Sequence, residues 1–478
     1  MTKFSAYLLG VAMLWSGTSL YARHTIESYY PIRTAEMAKN NMFNVNIKKQ
    51  TIDVGFLTTV ATTDYEIQTD ACDNSKSFYF TVKETFRNDL VTGLGSIRST
   101  IEIISSDAKF NNSFDKLEQK IGKDLLEIKG KYHLNGTASY QINSPAFNAT
   151  EDDLTMRWGG MTGTIVANAK EFIVNVNSPN LAFDESDGTS FLFSGFKIDN
   201  KSVLSDIGLN TGYSTVSLDR FELMPTKPSK YLQRVTAEKF SFHNEVTQNG
   251  ATVNAATNNT VGNLEIGSFL KQANLSAKLA LNNLDAKGFK DFSDAINKYN
   301  HTCHAKIDDY ETAIKGVLKG KPELLVDHIK VVFEDSQVEL KGHIKGIDLD
   351  QLNANTVEAL RKIDGLKGLD MKLNLKANDA VIAHFDGQDN SFGQILDNFI
   401  SADVIKRESD GYSLEINYQN AELRFNGIPL ETLKLALQAQ SYLSRMQELS
   451  EQNLQQNTEE EVATEEEDTS YYTPNTSY

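Results

Sequence analysis

Apolar and polar residues alternate along most of the chain between residue 43 and residue 286. Phe43, Val45 and Ile47 are separated by polar residues, which is the period of a half-buried β-strand. The same period recurs in stretch after stretch, and turn signals such as the DESDG at residues 184–188 separate the stretches. Because helices are not regularly interleaved with these strands, the pattern predicts a long antiparallel meander.

Helical spacing of apolar residues replaces the alternation in a few segments. Phe114, Leu117, Ile121 and Leu125 keep helical spacing, and so do apolar residues through 287–320, with a break near His301. The other helical patterns are a short connection after residue 23, a short helix at 392–405 and a longer one at 429–454. Alternation returns over 321–428, where a turn at Gln419–Asn420 predicts a hairpin.

The first stretch of the chain is apolar throughout. Residues 4–22 include no charged residue, and at about 1.5 Å per residue a helix of this length spans roughly 28 Å. This predicts a single transmembrane helix with residues 1–3 in the cytoplasm and the rest of the chain outside. A cleavable signal peptide ending at Ala22 is the alternative, although Leu20 is bulky for the position before such a cleavage site.

The predicted fold class is therefore mainly β with added helices (α+β), built on one or more long antiparallel meander sheets behind an N-terminal transmembrane helix. The predicted segments are a cytoplasmic end (1–3), an anchor or signal segment (4–22), a periplasmic β-rich region (23–286), a helical segment (287–320), a second β-rich region (321–428), a C-terminal helix (429–454) and a disordered acidic tail (455–478).

Charge narrows the range of partners. The formal net charge is −17, and seven of the negative charges lie between Glu459 and Asp468. An acidic chain without a basic stripe repels phosphate backbones, so we expect no nucleic-acid partner. The tail has too few apolar residues to offset the entropy of ordering. The helix before it carries a broken apolar stripe, which favours packing on the sheet over pairing with a partner helix.

Cysteine and histidine offer little chemistry. Cys72 and Cys303 are the two cysteines, and they either form a disulfide in an oxidising compartment or remain buried thiols. His301 and His304 could share a helix face, with Asp308 one turn further on. A zinc site needs further ligands, so polar residues at a helix break are the favoured interpretation. We predict neither a metal nor a cofactor.

Motifs of catalysis are missing from the sequence. It has no Gly-x-Ser-x-Gly elbow, no HExxH string and no phosphate-binding loop between a strand and a helix. The carboxylates at 151–153 lack the ligand spacing of a calcium loop and are interpreted as solvated charge. The sequence therefore favours a protein that is not an enzyme.

Several local strings in a shared order resemble the YdgA-like family, bacterial envelope proteins with a domain of unknown function. They are VGFLT at 54–58, LEIKGKYHLNGTASYQINSPAFNAT at 126–150, FSGFKID at 193–199, LKGKPELLVDHIKVVFEDSQVELKGHI at 318–344 and SLEINYQNAELRFNGIPLETL at 413–433. The chain departs from the family at Arg87-Asn88-Asp89, where members often carry His-Gly-Pro. The resemblance implies an inner-membrane-anchored periplasmic protein of Gram-negative bacteria, and it supplies no catalytic residue.

The predicted function follows from the sheet and the anchor. A long sheet has an apolar face that needs cover. If that face stays open as a groove, it suits an apolar ligand such as a lipid acyl chain. We therefore expect a non-enzymatic envelope scaffold or binding protein whose partners are the inner membrane and a lipid or another envelope protein. The alternative is an envelope hydrolase whose site is not visible in the sequence.

Overall fold

The computed structural model describes most of the chain between residues 18 and 435. The described residues are 18–32, 34–35, 44–68, 77–88, 96–105, 115–119, 121–122, 124–133, 135–151, 153–228, 233–267, 270–302, 307–346, 368–381 and 397–435.

Strands account for most of these residues. They are β1 (Asn44–Val54), β2 (Thr58–Gln68), β3 (Ser77–Arg87), β4 (Ser96–Ser105), β5 (Glu127–His133), β6 (Ala138–Ser144), β7 (Phe147–Glu151), β8 (Leu154–Trp158), β9 (Met161–Ala167), β10 (Glu171–Glu185), β11 (Ser190–Leu204), β12 (Asn210–Met224), β13 (Val235–Asn249), β14 (Thr252–Ile266), β15 (Leu270–Asp285), β16 (Glu323–Phe333), β17 (Ser336–Lys345), β18 (Asp370–Asn378), β19 (Lys406–Glu408), β20 (Gly411–Gln419), β21 (Glu422–Phe425) and β22 (Ile428–Pro429).

The helices are fewer. They are α1 (18–32 and 34–35), α2 (115–119 and 121), α3 (Ala286–Thr302) and α4 (Ile307–Leu318), with single helical turns at 379–381, 397–401 and 430–435.

All the strands belong to one antiparallel sheet that follows the order of the chain. From β1 to β6 and from β9 to β18, each strand pairs with its predecessor and its successor, and β6 pairs with β9. The β7–β8 hairpin extends the β6–β9 pair, and β8 lies beside the second half of β10. Strand β20 pairs with β18 along its length and with the short strands β19 and β21 on its other side. The predicted antiparallel meander is confirmed.

The helical segment does not interrupt this sheet. Strand β15 pairs with β16, so that Leu281 lies opposite Leu324 although α3 and α4 stand between them in the chain. At the start of α3, Asp285 accepts a hydrogen bond from the amide of Gly288 at 2.8 Å, which is a helix N-cap. A Cβ on Gly288 would lie 2.1 Å from the carbonyl carbon of Gly316, so the two helices cross at backbone contact. The α3–α4 pair is an excursion that leaves and rejoins one continuous sheet.

Two clusters of buried apolar side chains lie on the same side of the sheet. In the first, Ala22, Ile26 and Tyr30 of α1 pack against Ala61, Phe86 and Ile97 of β2, β3 and β4. In the second, Ala286 joins Leu209, Val253 and Leu284, with Phe289 of α3 and Val317 of α4 packed against them. The helices therefore cover parts of the sheet and leave the other strands to form the surface described next.

Several predictions concern residues whose placement is not described. Among the residues that the structure describes, no helix has the length and hydropathy that a membrane crossing needs. Residues 4–17 of the predicted anchor, Cys72, Cys303, His304, residues 436–454 of the predicted C-terminal helix and the tail at 455–478 lie outside the described residues.

Candidate binding face of the sheet

Directly opposed residues of an antiparallel pair lie on the same face of a sheet, so the pairing traces each face row by row. One such row crosses five strands and is apolar throughout. It consists of Ala277, Ile329, Leu340, Leu375 and Leu414.

The neighbouring rows on this face are built in the same way. Towards α3 lie Leu279, Val326, Gly342, Leu373 and Ile416, and then Leu281, Leu324, Ile344, Met371 and Tyr418; on the other side lie Leu275, Val331, Val338, Ala377 and Tyr412. We call the face that carries these four rows the apolar face. Its composition follows from the alternation in each strand, since residues of the period-two pattern share one side.

The apolar face continues into the first half of the chain. Val176, Ile198, Val216 and Phe242 form a row across β10 to β13. Tyr140 and Ile165 extend the same face across β6 and β9. From β6 to β20 the face crosses twelve strands, roughly 53 Å at about 4.8 Å between neighbours, and Asn259 of β14 lies between Phe242 and Ala277 in this row.

The opposite face, which we call the polar face, carries charge at the corresponding positions. Lys330, Glu339, Lys376 and Ser413 form the row adjacent to the one through Leu340. Ion pairs connect neighbouring residues of this face, for example Lys372 with Glu415 at 2.9 Å and Lys278 with Asp327 at 3.2 Å. Exposed pairs of this kind contribute little to stability, so their effect is to keep this face in water.

The polar face also has an aromatic patch near the turn between β10 and β11. Phe191 and Phe193 lie on this face with ring centroids 4.6 Å apart, and Phe221 lies 5.5 Å and 5.2 Å from them. Phe183 completes the patch. The two faces thus differ clearly in polarity across β15 to β20. They differ less across β10 to β12, near the turn between β10 and β11.

Side chains of the apolar face are half-exposed rather than buried along much of its length. The exposed fraction is 38% for Phe172, 42% for Phe242 and 37% for Ile329. Leu340, Leu375 and Leu414 are only partly buried as well. An apolar surface that continues over many strands without full cover is typical of an interaction or ligand site.

The two clusters that contain helices close parts of this face. Val253, Leu284 and Leu281 belong to it, and α3 and α4 pack on them. At the other end, Ile52, Ala61 and Phe86 belong to it, and α1 packs there. The half-exposed rows of β10 to β13 lie between these two covers, and the rows of β16 to β20 lie on the far side of α3 and α4.

Helix α1 is fixed on the face by specific contacts. The ring of Tyr30 meets the ring of Phe86, and its hydroxyl lies 3.4 Å from the Thr63 hydroxyl. Burial raises the pKa of Tyr30 above its usual value. Four residues later, the Thr34 hydroxyl accepts a hydrogen bond from the Gln50 amide at 2.8 Å. The carboxyl end of α1 therefore lies over Gln50 and Thr63.

A buried carboxylate lies on the apolar face beside α1. Glu84 is 2% exposed, and its oxygens accept hydrogen bonds from Ser99 at 2.5 Å and from Tyr132 at 3.1 Å. Tyr132 in turn shares a hydrogen bond with Tyr140. Sequence reasoning missed this group, although its signal is present: Phe80, Val82, Glu84 and Phe86 occupy one phase of the alternation in β3, and one of them is charged. A buried carboxylate needs such partners to be tolerated.

A separate cleft lies at the ends of the strands, where β13 and β15 begin and β14 ends. It has a volume of about 350 Å³, and its lining includes Arg234, Glu265, Lys271 and Glu334. Charges of both signs line it, so it does not suit an apolar ligand.

The structure brings the residues considered above for a metal site or a disulfide into no described site. The backbones of His301 and Asp308 belong to α3 and α4, and the side chains of both lie outside the description. Glu151 ends β7, and Asp153 is exposed in the following turn. Within the described ranges, no group of three or more His, Cys, Asp or Glu residues is arranged to hold a metal ion.

Comparison with known proteins gives one match. A family model described as a bacterial protein of unknown function (DUF945) matches residues 1–432. The chain belongs to this family. The match confirms the expected resemblance to an uncharacterised bacterial family, and it includes α1, α3, α4 and the strands β1 to β22. No curated protein and no solved structure gave a match.

Proposed function

We propose that this protein is a non-enzymatic lipid-binding protein of the bacterial envelope, which holds acyl chains against its apolar face. In this proposal the leading apolar segment anchors the chain in the inner membrane, and the sheet lies in the periplasm. The partners are the membrane and its lipids.

The half-exposed apolar face supports this proposal most strongly. The row of Ala277, Ile329, Leu340, Leu375 and Leu414 crosses five adjacent strands without a polar side chain. A row of five strands extends about 19 Å at 4.8 Å per strand. Each methylene of a bound acyl chain that leaves water contributes about 0.8 kcal/mol, so a chain lying along the rows gains several kcal/mol.

The shape of the face favours a chain-like ligand over a compact one. The apolar rows are long and continuous, whereas the described clefts at the strand ends are small and charged. A compact ligand requires a concave site that buries most of its surface. An acyl chain requires only a strip of apolar surface, which the rows supply.

Photo-crosslinking tests the proposal with a control one residue away. Leu340 lies on the apolar face, and Lys341 lies on the polar face of the same strand. We would replace each in turn, as Leu340→p-benzoylphenylalanine and Lys341→p-benzoylphenylalanine, in the full chain expressed in bacteria. After irradiation of cells, mass spectrometry of the purified protein identifies the crosslinked molecule.

We expect lipid adducts at position 340 and none at position 341. Equal lipid labelling at both positions would show non-specific contact and would contradict the proposal. A protein adduct confined to position 340 would also contradict it, and would favour a scaffold whose apolar face is covered by a partner.

A further inference from the structure

The turn between β1 and β2 carries two exposed apolar side chains. Phe56 is 50% exposed and Leu57 is 56% exposed. Large apolar residues at the tip of a turn leave water only when another surface covers them.

This turn is held in a fixed shape by one buried amide. Asn88 is 0% exposed, and its Nδ2 donates to the carbonyl oxygen of Gly55 at 2.9 Å. Its backbone amide donates to the carbonyl oxygen of Leu57 at 2.9 Å, and its Oδ1 accepts from the Thr59 hydroxyl at 3.0 Å. The exposure of Phe56 and Leu57 is therefore part of an organised turn, since two hydrogen bonds from Asn88 hold its backbone and a third joins Asn88 to the Thr59 side chain.

A row of cations lies on the polar face, at the same ends of the strands as this turn. We call this end of the sheet, with the β1–β2 turn and these cations, the turn edge. Arg87 lies opposite Arg98, and Arg98 lies opposite Lys131 on the next strand. All three side chains are exposed. Directly opposed like charges repel one another, and together they make this part of the polar face positive. The row is also unusual in a chain of net charge −17.

The amino-terminal part of the described α1 lies nearer to this edge than its carboxyl end does. Its carboxyl end lies over Gln50 and Thr63, and its earlier residues pack with Phe86 and Ile97, which are nearer to the edge. Leu20 and Tyr21 in its first turns are 55% and 53% exposed. Both residues belong to the last part of the uncharged run at 4–22.

We infer that this edge of the sheet docks on the surface of an anionic bilayer. Phe56 and Leu57 enter the interfacial region, where apolar side chains at the tip of a turn lose contact with water. Arg87, Arg98 and Lys131 face lipid phosphates, whose attraction falls off within a Debye length. The inference rests on the membrane attachment in the proposed function. It adds the orientation of the sheet relative to the bilayer: the part of the apolar face that α1 covers lies next to the membrane surface.

Fluorescence quenching in lipid nanodiscs tests this docking. In the full chain with C72S and C303S, we would attach an environment-sensitive fluorophore at Leu57→Cys. The matched control is Lys227→Cys, an exposed position in the turn between β12 and β13 at the opposite edge. The discs contain phosphatidylcholine with or without phosphatidylglycerol, and the quencher is a spin-labelled lipid.

We expect strong quenching at position 57 and little at position 227, with more quenching at 57 in discs that contain phosphatidylglycerol. The triple variant R87Q/R98Q/K131Q should lower quenching in those discs to its level in phosphatidylcholine. Equal quenching at positions 57 and 227, in protein that elutes with the discs, would overturn the docking.

Failure of the proposed function gives different results. Loss of acyl binding changes crosslinking at Leu340 and leaves quenching at position 57 intact. If the protein does not elute with the discs, the membrane attachment is wrong and the docking inference falls with it.

Discussion

The rings of Tyr30 and Phe86 meet edge to face, with centroids 5.7 Å apart and planes at 84°. This contact attaches α1 to the sheet, and Phe86 is fully buried beneath it. We predict that Phe86→Ala lowers the free energy of unfolding by about 3–5 kcal/mol, because it removes a buried ring and leaves a cavity. Thermal unfolding measures this loss, and hydrogen exchange at residues 22–32 should show faster exchange in α1.

Phe78 is the matched control, because it lies on the same strand and the same face and is 64% exposed. Phe78→Ala should change the free energy of unfolding by less than about 1 kcal/mol. Equal destabilisation by the two substitutions would contradict the role given to the Tyr30–Phe86 contact.

Two neighbouring rows allow the apolar face to be compared with the polar face. We predict that the triple variant I329Q/L340Q/L375Q lowers the amount of co-purified lipid several-fold, because it places amides that need water across the strip. The control K330Q/E339Q/K376Q makes the same number of changes to the row on the opposite face. Lipid extraction and mass spectrometry measure the difference, and circular dichroism checks that both variants keep the sheet. Similar lipid content in the two variants would count against the apolar face.

Glu66 gives a prediction about acid stability. Its carboxylate contacts the Lys48 ammonium at 2.7 Å and accepts hydrogen bonds from Tyr79 at 2.7 Å and Asn46 at 3.3 Å. The hydrogen bond from Lys48, followed by that from Tyr79, lowers the pKa of Glu66 to about 2 from 4.5. Because the folded-state pKa is the lower one, the stabilisation is present above pH 4.5 and is lost as the pH falls towards 2.

The measurement for Glu66 is a comparison of two unfolding curves at several pH values. The free energy of unfolding of the wild-type chain should exceed that of Glu66→Gln by about 1–2 kcal/mol at neutral pH. This value allows for solvent screening, because Lys48 is half-exposed. The difference should shrink below pH 4.5 and vanish near pH 2. A difference that does not depend on pH would show that the carboxylate charge is not responsible.

The crossing of α3 and α4 predicts an order of effects for two glycines. A Cβ on Gly288 would lie 2.1 Å from the Gly316 carbonyl carbon, whereas a Cβ on Gly316 would lie 3.0 Å from the Gly288 Cα. Gly288→Ala should therefore cost about 1–3 kcal/mol by forcing the helices apart. Gly316→Ala should cost less, because alanine's helix propensity offsets the milder contact by about 1 kcal/mol. Thermal unfolding ranks the two, and the reverse order would contradict this crossing.

The sequence was sufficient to predict the sheet, because its alternation is local and each strand pairs with a sequence neighbour. The turn predicted at Gln419–Asn420 lies one residue further on, at Asn420 and Ala421, because Gln419 pairs with Glu422. Both turn residues have positive φ, which suits the tight turn of a two-residue hairpin.

The placement of α1 could not be predicted in the same way. The contacts of α1 come from Ala22, Ile26, Tyr30 and Thr34, which are four residues apart. Thr34 is polar, and Tyr29 is 67% exposed, so the hydrophobic pattern alone does not reveal the buried side of the helix. Burial of Glu84 likewise depends on Ser99 and Tyr132 from two later strands. Such contacts arise only when distant parts of the chain meet.

The largely sequential pairing of the strands has a consequence for how this molecule can change in length. If one hairpin is removed, the two flanking strands can pair with each other, and each keeps its direction and the face on which its side chains lie. If one hairpin is duplicated, two further antiparallel strands are inserted. Each such event alters the width by about 10 Å and disturbs no other ladder. Relatives of different size are therefore accessible through tandem gain or loss of hairpins, without redesign of what remains.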